Sequence, residues 1–295
     1  MRQLAKQWVS GKIGEWLQGI DKNGDPIVFP LTITSSPFRT VVRAERNQEA
    51  SIAVESQSPE TKRKTESAIA QMAATCGFAN ACGYRITILG TPPEAKGLGS
   101  SSIDIASALL AIKDDRNLDI SNTALFQIMC RVERSDFLFS PESIVATNPV
   151  TGDFSIVGPA PSCVVIAWDS APSARIDTEA VLHLDEARQP FSNEYEHLSS
   201  LLRSSDLETM GYASTRSAEI NDQLLPKPGF SVAQRLRKDF RAVGLVAAHT
   251  GTYLGLLFGN RVDPALLAEL SATVINEFSV APVLFGVGGA QGGQK

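Results

Sequence analysis

The chain has no CxxC pair and no HExxH, with only three histidines and four cysteines, Cys76, Cys82, Cys130 and Cys163, irregularly spaced over 295 residues. That sparseness argues against a zinc knuckle or a disulfide framework and predicts reduced thiols in a cytoplasmic protein. Long apolar runs are also missing. The most apolar window, "VGLVAAHTGTYLGLLF", has sixteen residues and contains His249 and three glycines, too short to cross a bilayer. The N-terminal "MRQLAKQWVSGKIGEW" lacks a sustained apolar core and a small-residue cleavage site, so a signal peptide is not expected. No basic block is longer than "KRK" at 62–64, and 27 basic against 32 acidic side chains leave a net charge of -5. Neither nucleic acid nor membrane is an expected partner. No internal repeat or low-complexity tract is visible.

What is present suits an ordinary soluble globular protein. A chain of this length, 43% hydrophobic and 20% charged, can bury a sizeable core and predicts two lobes. Short β-branched runs over 26–54 and "YRITILG" at 84–90 read as strands. Between them, Ile69, Met72, Ala73 and Cys76 recur at helical spacing, as do Leu125, Ile128, Met129 and Val132 further on. The stretch 147–162 is rich in Gly, Pro, Ser and Thr and leads into the strand-like "CVVIAWD". It predicts a boundary between an N-terminal domain at 1–158 and a C-terminal domain at 159–295. Later segments predict two polar-faced helices over 191–225, another over 230–244, and one opened by Asp263 and Pro264. Residues 245–258 read as strand, turn, and strand or helix.

One stretch carries chemistry. In "PPEAKGLGSSSIDIASALLAI", 92–112, Gly97 and Gly99 precede Ser100, Ser101 and Ser102 and then a helix with Ile105, Leu109 and Ile112 on one side. A glycine loop entering a helix N-terminus presents unpaired N–H groups to phosphate. The same residues also allow a plain helix start, with Ser101 and Asp104 as a variant capping box. A Walker loop is excluded because GxxxxGK[ST] is absent.

The stretch resembles the second motif of the GHMP kinases, PxxxGLGSSAA, with Pro93 and Gly97 at the matching spacing. "VSGKIGEWLQG" resembles their first motif in the CGELxQG form of the L-threonine kinase branch of cobalamin synthesis. "GLVAAHTGTYLGLLF" resembles that branch's third motif, AHSGTxxGLL. "RVERSDFLF" resembles its EPTDS stretch, aligning Glu133 and Asp136, and "SSSIDIASA" its SSTADIAA, aligning Asp104. Arg134 departs from the pattern at a proline, and Lys12 and Ile13 at small or cysteine positions. Ser102 and Ile103 depart from it as well.

The resemblance implies an α+β, two-lobe GHMP kinase fold with its active site in the cleft between lobes. It implies ATP and Mg2+, a small-molecule acceptor, and phosphorylation of the L-threonine hydroxyl. A homoserine or other small-alcohol kinase is the alternative, and a non-catalytic nucleotide-binding regulator is the alternative of another class. The phosphate loop would comprise Lys96, Gly97, Leu98, Gly99, Ser100, Ser101 and Ser102. Ser101 and Glu133 would hold magnesium and phosphate, and Asp136 would orient or deprotonate the hydroxyl. The bland reading of Glu133 and Asp136 is a solvated helix end paired with Arg131 and Arg134. Substrate contacts are expected from Glu15, Asp104, Thr250, Gly251 and Thr252, though Glu15 also fits a turn cap. Lys12 reads as a phosphate contact or a solvated lysine, and His249 as a hydrogen-bonded core residue. Trp8, Trp16 and Trp168 read as packing residues.

Overall fold

The computed structural model describes residues 5–7, 9, 11–38, 40–47, 51–78, 83–90, 92–174, 184–204 and 206–289. In chain order the first half contains β1 (Ala5–Gln7), β2 (Lys12–Ile20), β3 (Pro26–Thr32), β4 (Val41–Asn47), β5 (Ile52–Glu55), α1 (Pro59–Thr75), β6 (Gly83–Leu89), α2 (Ser100–Arg116), α3 (Asn122–Val132), β7 (Ser143–Thr147) and β8 (Phe154–Pro159). The second half contains β9 (Cys163–Asp169), α4 (Leu184–Ala187), α5 (Ser192–Leu201), α6 (Leu207–Leu224), α7 (Phe230–Asp239), β10 (Gly244–Ala247), β11 (Tyr253–Gly259), α8 (Pro264–Phe278) and β12 (Val283–Val287).

A four-stranded sheet has the order β1-β4-β6-β5, with β5 parallel to β6 and the other pairs antiparallel. In β6, Tyr84, Ile86 and Ile88 are buried while Arg85 and Leu89 face out, the two-residue period of a half-covered strand. Ile69 and Met72 of α1 and Ile105, Leu109 and Ile112 of α2 complete that core. Helix α1 starts as its sequence dictates: Ser58 accepts a bond from the Thr61 amide, and Pro59 fills the first helical position. Helix α2 differs from the one-sided helix expected. Ala106, Ala108 and Ala111 are buried together with its larger apolar residues, because small side chains let neighbouring layers approach closely.

An eight-stranded sheet has the order β12-β9-β11-β10-β2-β3-β7-β8. Trp16 and Leu17 of β2 pack with Phe29 and Leu31 of β3, Tyr195 of α5 and Met210 of α6. Trp168 of β9 packs with Phe230 of α7 and Leu270 of α8. Trp16 and Trp168 are thus packing residues, and Trp8 lies outside the described residues. The boundary placed at 158/159 falls within β8, and the sheet runs across it. Pro159 ends an edge strand, where a missing N–H is tolerated. Residues 245–258 resolve as strand, turn and strand, and Asp263 caps α8 with Pro264 behind it.

Cys76, Cys130 and Cys163 are free, and burial pushes the Cys130 and Cys163 thiols up to about 12, which makes them unreactive. Cys82 lies outside the described residues. No described helix is long and apolar enough to cross a membrane.

Candidate active site

The glycine loop has alternating backbone sign: φ is positive at Ala95, Gly97 and Gly99 and not at the residues between them. Such alternation turns successive N–H groups toward one concavity, a geometry suited to anions. Gly99 is the N-cap of α2 with φ 72°, and no side chain caps the helix. The first-turn N–H groups therefore stay open to a ligand. The capping-box alternative is not formed, since Asp104 is buried and accepts a bond from Thr40 Oγ1 at 2.8 Å.

Two glycines in separate motifs are required by one contact. A Cβ on Gly97 would lie 2.2 Å from the Ala248 Cβ, and one on Gly251 would lie 2.2 Å from the Lys96 carbonyl oxygen. The glycine loop and the β10–β11 turn thus pack backbone to backbone, and the Thr252 amide donates to the Lys96 carbonyl at 3.2 Å.

Helix α3 ends at Val132, and Glu133 takes an extended conformation. The chain beyond the helix directs its two acidic side chains to different partners. The Ser101 hydroxyl donates to Glu133 Oε2 at 2.9 Å, and the Lys64 ammonium lies 2.8 Å from that oxygen. Asp136 Oδ2 lies 2.6 Å from Lys12 Nζ. Arg131 instead donates to Gln71 and Arg134 to Asp185, so the acidic pair is not the arginine-paired helix end that the bland reading supposed.

Lys12 and Glu15 are three residues apart on β2, a spacing that opposes side chains in a regular strand. Pairing with β3 shifts register on both sides of Glu15, and Gly14 has φ 64°. This bulge lets Lys12 Nζ approach Glu15 Oε1 at 2.5 Å. The other oxygen, Oε2, accepts from the His249 amide and from Nδ1, each at 2.9 Å. Burial alone would raise Glu15; Lys12 and His249 override it and hold the carboxyl far below its usual range. Burial would lower Lys12, but Asp136 and Glu15 together keep it raised and charged. His249 is lowered by burial despite Glu15. The neutral ring then donates from Nδ1 and accepts the Ser217 hydroxyl at Nε2, 2.9 Å away.

Lys12, Glu15, Asp136 and Thr250 line one pocket with Arg134, Asp185 and Arg188. A Cβ on Gly99 would lie 3.3 Å from Lys12 Cγ. The Lys12 stem therefore runs from the start of α2 to the carboxylate of Asp136, joining the two ends of the site.

Several expected contacts are otherwise engaged. Both Glu15 oxygens are taken by Lys12 and His249, which leaves it positioning Lys12 rather than gripping a ligand. Asp104 is held away by Thr40. The Lys96 ammonium pairs with Asp169 at 2.8 Å and donates to the carbonyls of Ala171, Pro172 and Ala174, so only its backbone belongs to the loop. Leu98, Ser102 and Thr252 are buried, whereas Ser100 and Ser101 keep partial exposure.

Three groups escaped sequence reading. Lys227 donates to the carbonyls of His249 and Gly251 at 3.1 and 2.6 Å, and burial brings it down to about 8; it pins the β10–β11 turn. Lys64 neutralises Glu133 from α1. Arg188 is 2% exposed and donates from Nη1 to Asp185 at 2.7 Å. Only Lys64 had been noticed at all, as part of the longest basic block, "KRK" at 62–64.

The glycine loop and the lysine–carboxylate pair lie on the two sheets of a GHMP kinase fold. Residues 63–140 match the GHMP kinases N terminal domain. Two solved structures share the fold: a mevalonate kinase (14% identity, 96% of this chain and 99% of that one, TM-score 0.70) and the galactokinase of Lactococcus lactis (15%, 97% and 94%, TM-score 0.71). Over residues 63–140 the chain is similar to the GHMP kinases. It is also similar to the L-threonine kinases of Salmonella typhimurium, 24% identical over 181 residues, and Citrobacter freundii, 25% over 185. These matches span 60% and 61% of this chain and only 60% and 64% of the relatives' lengths.

Proposed function

We propose that this protein is an ATP-dependent kinase that phosphorylates the side-chain hydroxyl of L-threonine, giving O-phospho-L-threonine as a precursor for the cobalamin nucleotide loop. The observation that carries the reading is the Lys12–Asp136 pair, 2.6 Å apart, in a pocket beside the N-terminus of α2. The charged residues lining that pocket are balanced, Lys12, Arg134 and Arg188 against Glu15, Asp136 and Asp185. Mixed charge of this kind suits a zwitterionic amino acid better than a neutral sugar. Similarity to two L-threonine kinases supports the same choice.

In this scheme the backbone of residues 97–102 holds the ATP phosphates, and the Lys12 ammonium, fixed by Glu15, faces the transferred group. Asp136 orients the acceptor hydroxyl and takes its proton as the new O–P bond forms and the bond to ADP breaks. Glu133 and Ser101 would hold magnesium through one carboxylate and one hydroxyl, the carboxylate being shared with the Lys64 ammonium, with phosphates and water supplying the remaining ligands. Bound there, the cation would neutralise phosphate oxygens.

The test is ADP release with L-threonine, L-serine, L-homoserine, mevalonate and galactose side by side. Threonine is expected first, then serine, which lacks one buried methyl worth about 1–3 kcal/mol. Homoserine should follow, because its hydroxyl lies one carbon further out and misplacement by about 1 Å costs on the order of a hundredfold. Mevalonate and galactose should be inactive. Homoserine outperforming threonine would move the protein to homoserine phosphorylation, and activity on galactose or mevalonate alone would defeat the reading.

A further inference from the structure

Val28 is an apolar side chain that is buried without a core to be buried in. It is 3% exposed, yet among the buried apolar residues described it alone joins none of the four hydrophobic clusters of the interior. The strand explains how this arises. Successive side chains on a strand alternate between faces, and Ile27, Phe29 and Leu31 of β3 take the face packed with Trp16 and Leu17. Val28 turns to the opposite face, where its partners in the strand pairing are Gln18 of β2 and Thr147 of β7. There it lines the acceptor pocket, and Pro149, two residues past Thr147, is the other apolar residue on that wall. Every other residue lining the pocket is polar or charged. The Pro149 carbonyl accepts the Ser135 amide at 3.2 Å, so the apolar wall adjoins Asp136, the neighbour of Ser135 and the group assigned to the acceptor hydroxyl. An apolar surface held in a polar pocket gains its contacts only when a ligand brings an apolar group against it.

We propose that Val28, seconded by Pro149, is the specificity-determining residue that receives the methyl group on the acceptor's hydroxyl-bearing carbon. A hydroxyl fixed at Asp136 fixes the carbon that carries it, and the remaining substituent of that carbon meets the adjoining wall. Hydrogen at that position leaves the wall uncovered, a methyl group covers it, and a longer chain collides with it. This inference rests on the kinase reading above for the place of the hydroxyl, but the methyl subsite is tested separately.

The experiment varies one substituent across three acceptors: L-serine, L-threonine, and L-β-hydroxynorvaline with threonine's stereochemistry, in which an ethyl group replaces the methyl. Turnover is measured with ATP, and calorimetric binding is measured without nucleotide, for the wild-type protein, Val28→Ala and Val28→Ile. In both measurements the wild-type protein should favour threonine over serine by about 10- to 200-fold, the range for one methyl group in a fitted pocket. The ethyl analogue should fall below threonine because it overfills the site. Val28→Ala should reduce the threonine-to-serine ratio by about tenfold and should bring the ethyl analogue above threonine, a gain that general damage to the fold does not produce. Val28→Ile fills the space from the protein side and should move the preference toward serine; it leaves no cavity, so it decides the matter if the alanine variant fails to fold. Equal binding of threonine and serine by the wild-type protein overturns the inference without any variant, as does binding of neither. Variants that lower all three acceptors by one factor, or that keep the wild-type order, overturn it too. Methyl preference in binding without turnover would leave the subsite standing and remove the kinase reading, and turnover without methyl preference would do the reverse.

Discussion

The two ends of the cleft are built from different materials. At the proposed phosphate end the contacts are main-chain: alternating φ over 95–99, an uncapped α2 and two glycines without room for a Cβ. At the proposed acceptor end the contacts are side chains: charges from β2, the segment after α3, and α4 with its following residue, together with the Thr250 hydroxyl of the β10–β11 turn. A backbone cradle serves any nucleoside triphosphate, because every residue offers the same N–H. Ionised side chains can instead be exchanged one at a time, which lets one fold select among acceptors. Lys12 belongs to both ends, its stem against Gly99 and its ammonium on Asp136.

The sharpest way to break the comparison is at Asp136. Asp136→Asn keeps the shape and removes the charge, and kcat should fall about a thousandfold, within the range for loss of a positioned base, with KM for ATP little changed. A rise in KM for ATP alone would place Asp136 at the phosphate end. Ser101→Ala and Glu133→Gln should each lower turnover by on the order of a hundredfold while thermal stability stays near wild type. Wild-type rates in both would reduce the loop to a helix start. A smaller effect is expected on the pH dependence of stability. Glu15 titrates well below its unfolded value of roughly 4.3. Its contribution is therefore present above that value and lost as pH falls through the folded one. The unfolding temperature of Glu15→Gln should fall less steeply below about pH 4 than that of the wild type; parallel profiles would show that the Lys12–Glu15–His249 network does not set acid stability.

The same contrast explains what the sequence could and could not convey. Gly97, Gly99 and Gly251 were readable because a tight backbone approach allows few alternatives, and the motif order carries the fold with it. Asp136, Glu133 and Ser101 were candidates through their resemblance to the family motifs, and the structure pairs Ser101 with Glu133 at 2.9 Å. Arg188 was not, since a lone arginine before Gln-Pro has no periodicity or motif. Its meaning comes from Arg134, 54 positions earlier in the chain, meeting it across Asp185. Glu15 was assigned to the substrate because a one-dimensional pattern does not show the bulge that turns it toward Lys12 and His249. Of the departures from the family pattern, Lys12 and Arg134 line the pocket, whereas Ile13, Ser102 and Ile103 do not.

The most direct measurement of the whole account follows the γ-phosphate itself. The protein is incubated with ATP, Mg2+ and L-threonine, and the products are read by phosphorus NMR. The account predicts a phosphomonoester matching O-phospho-L-threonine, formed in step with ADP and absent when Asp136→Asn replaces the wild type. ADP accumulating with free phosphate and no phosphomonoester, or an ester formed equally well by the Asp136→Asn protein, would contradict it.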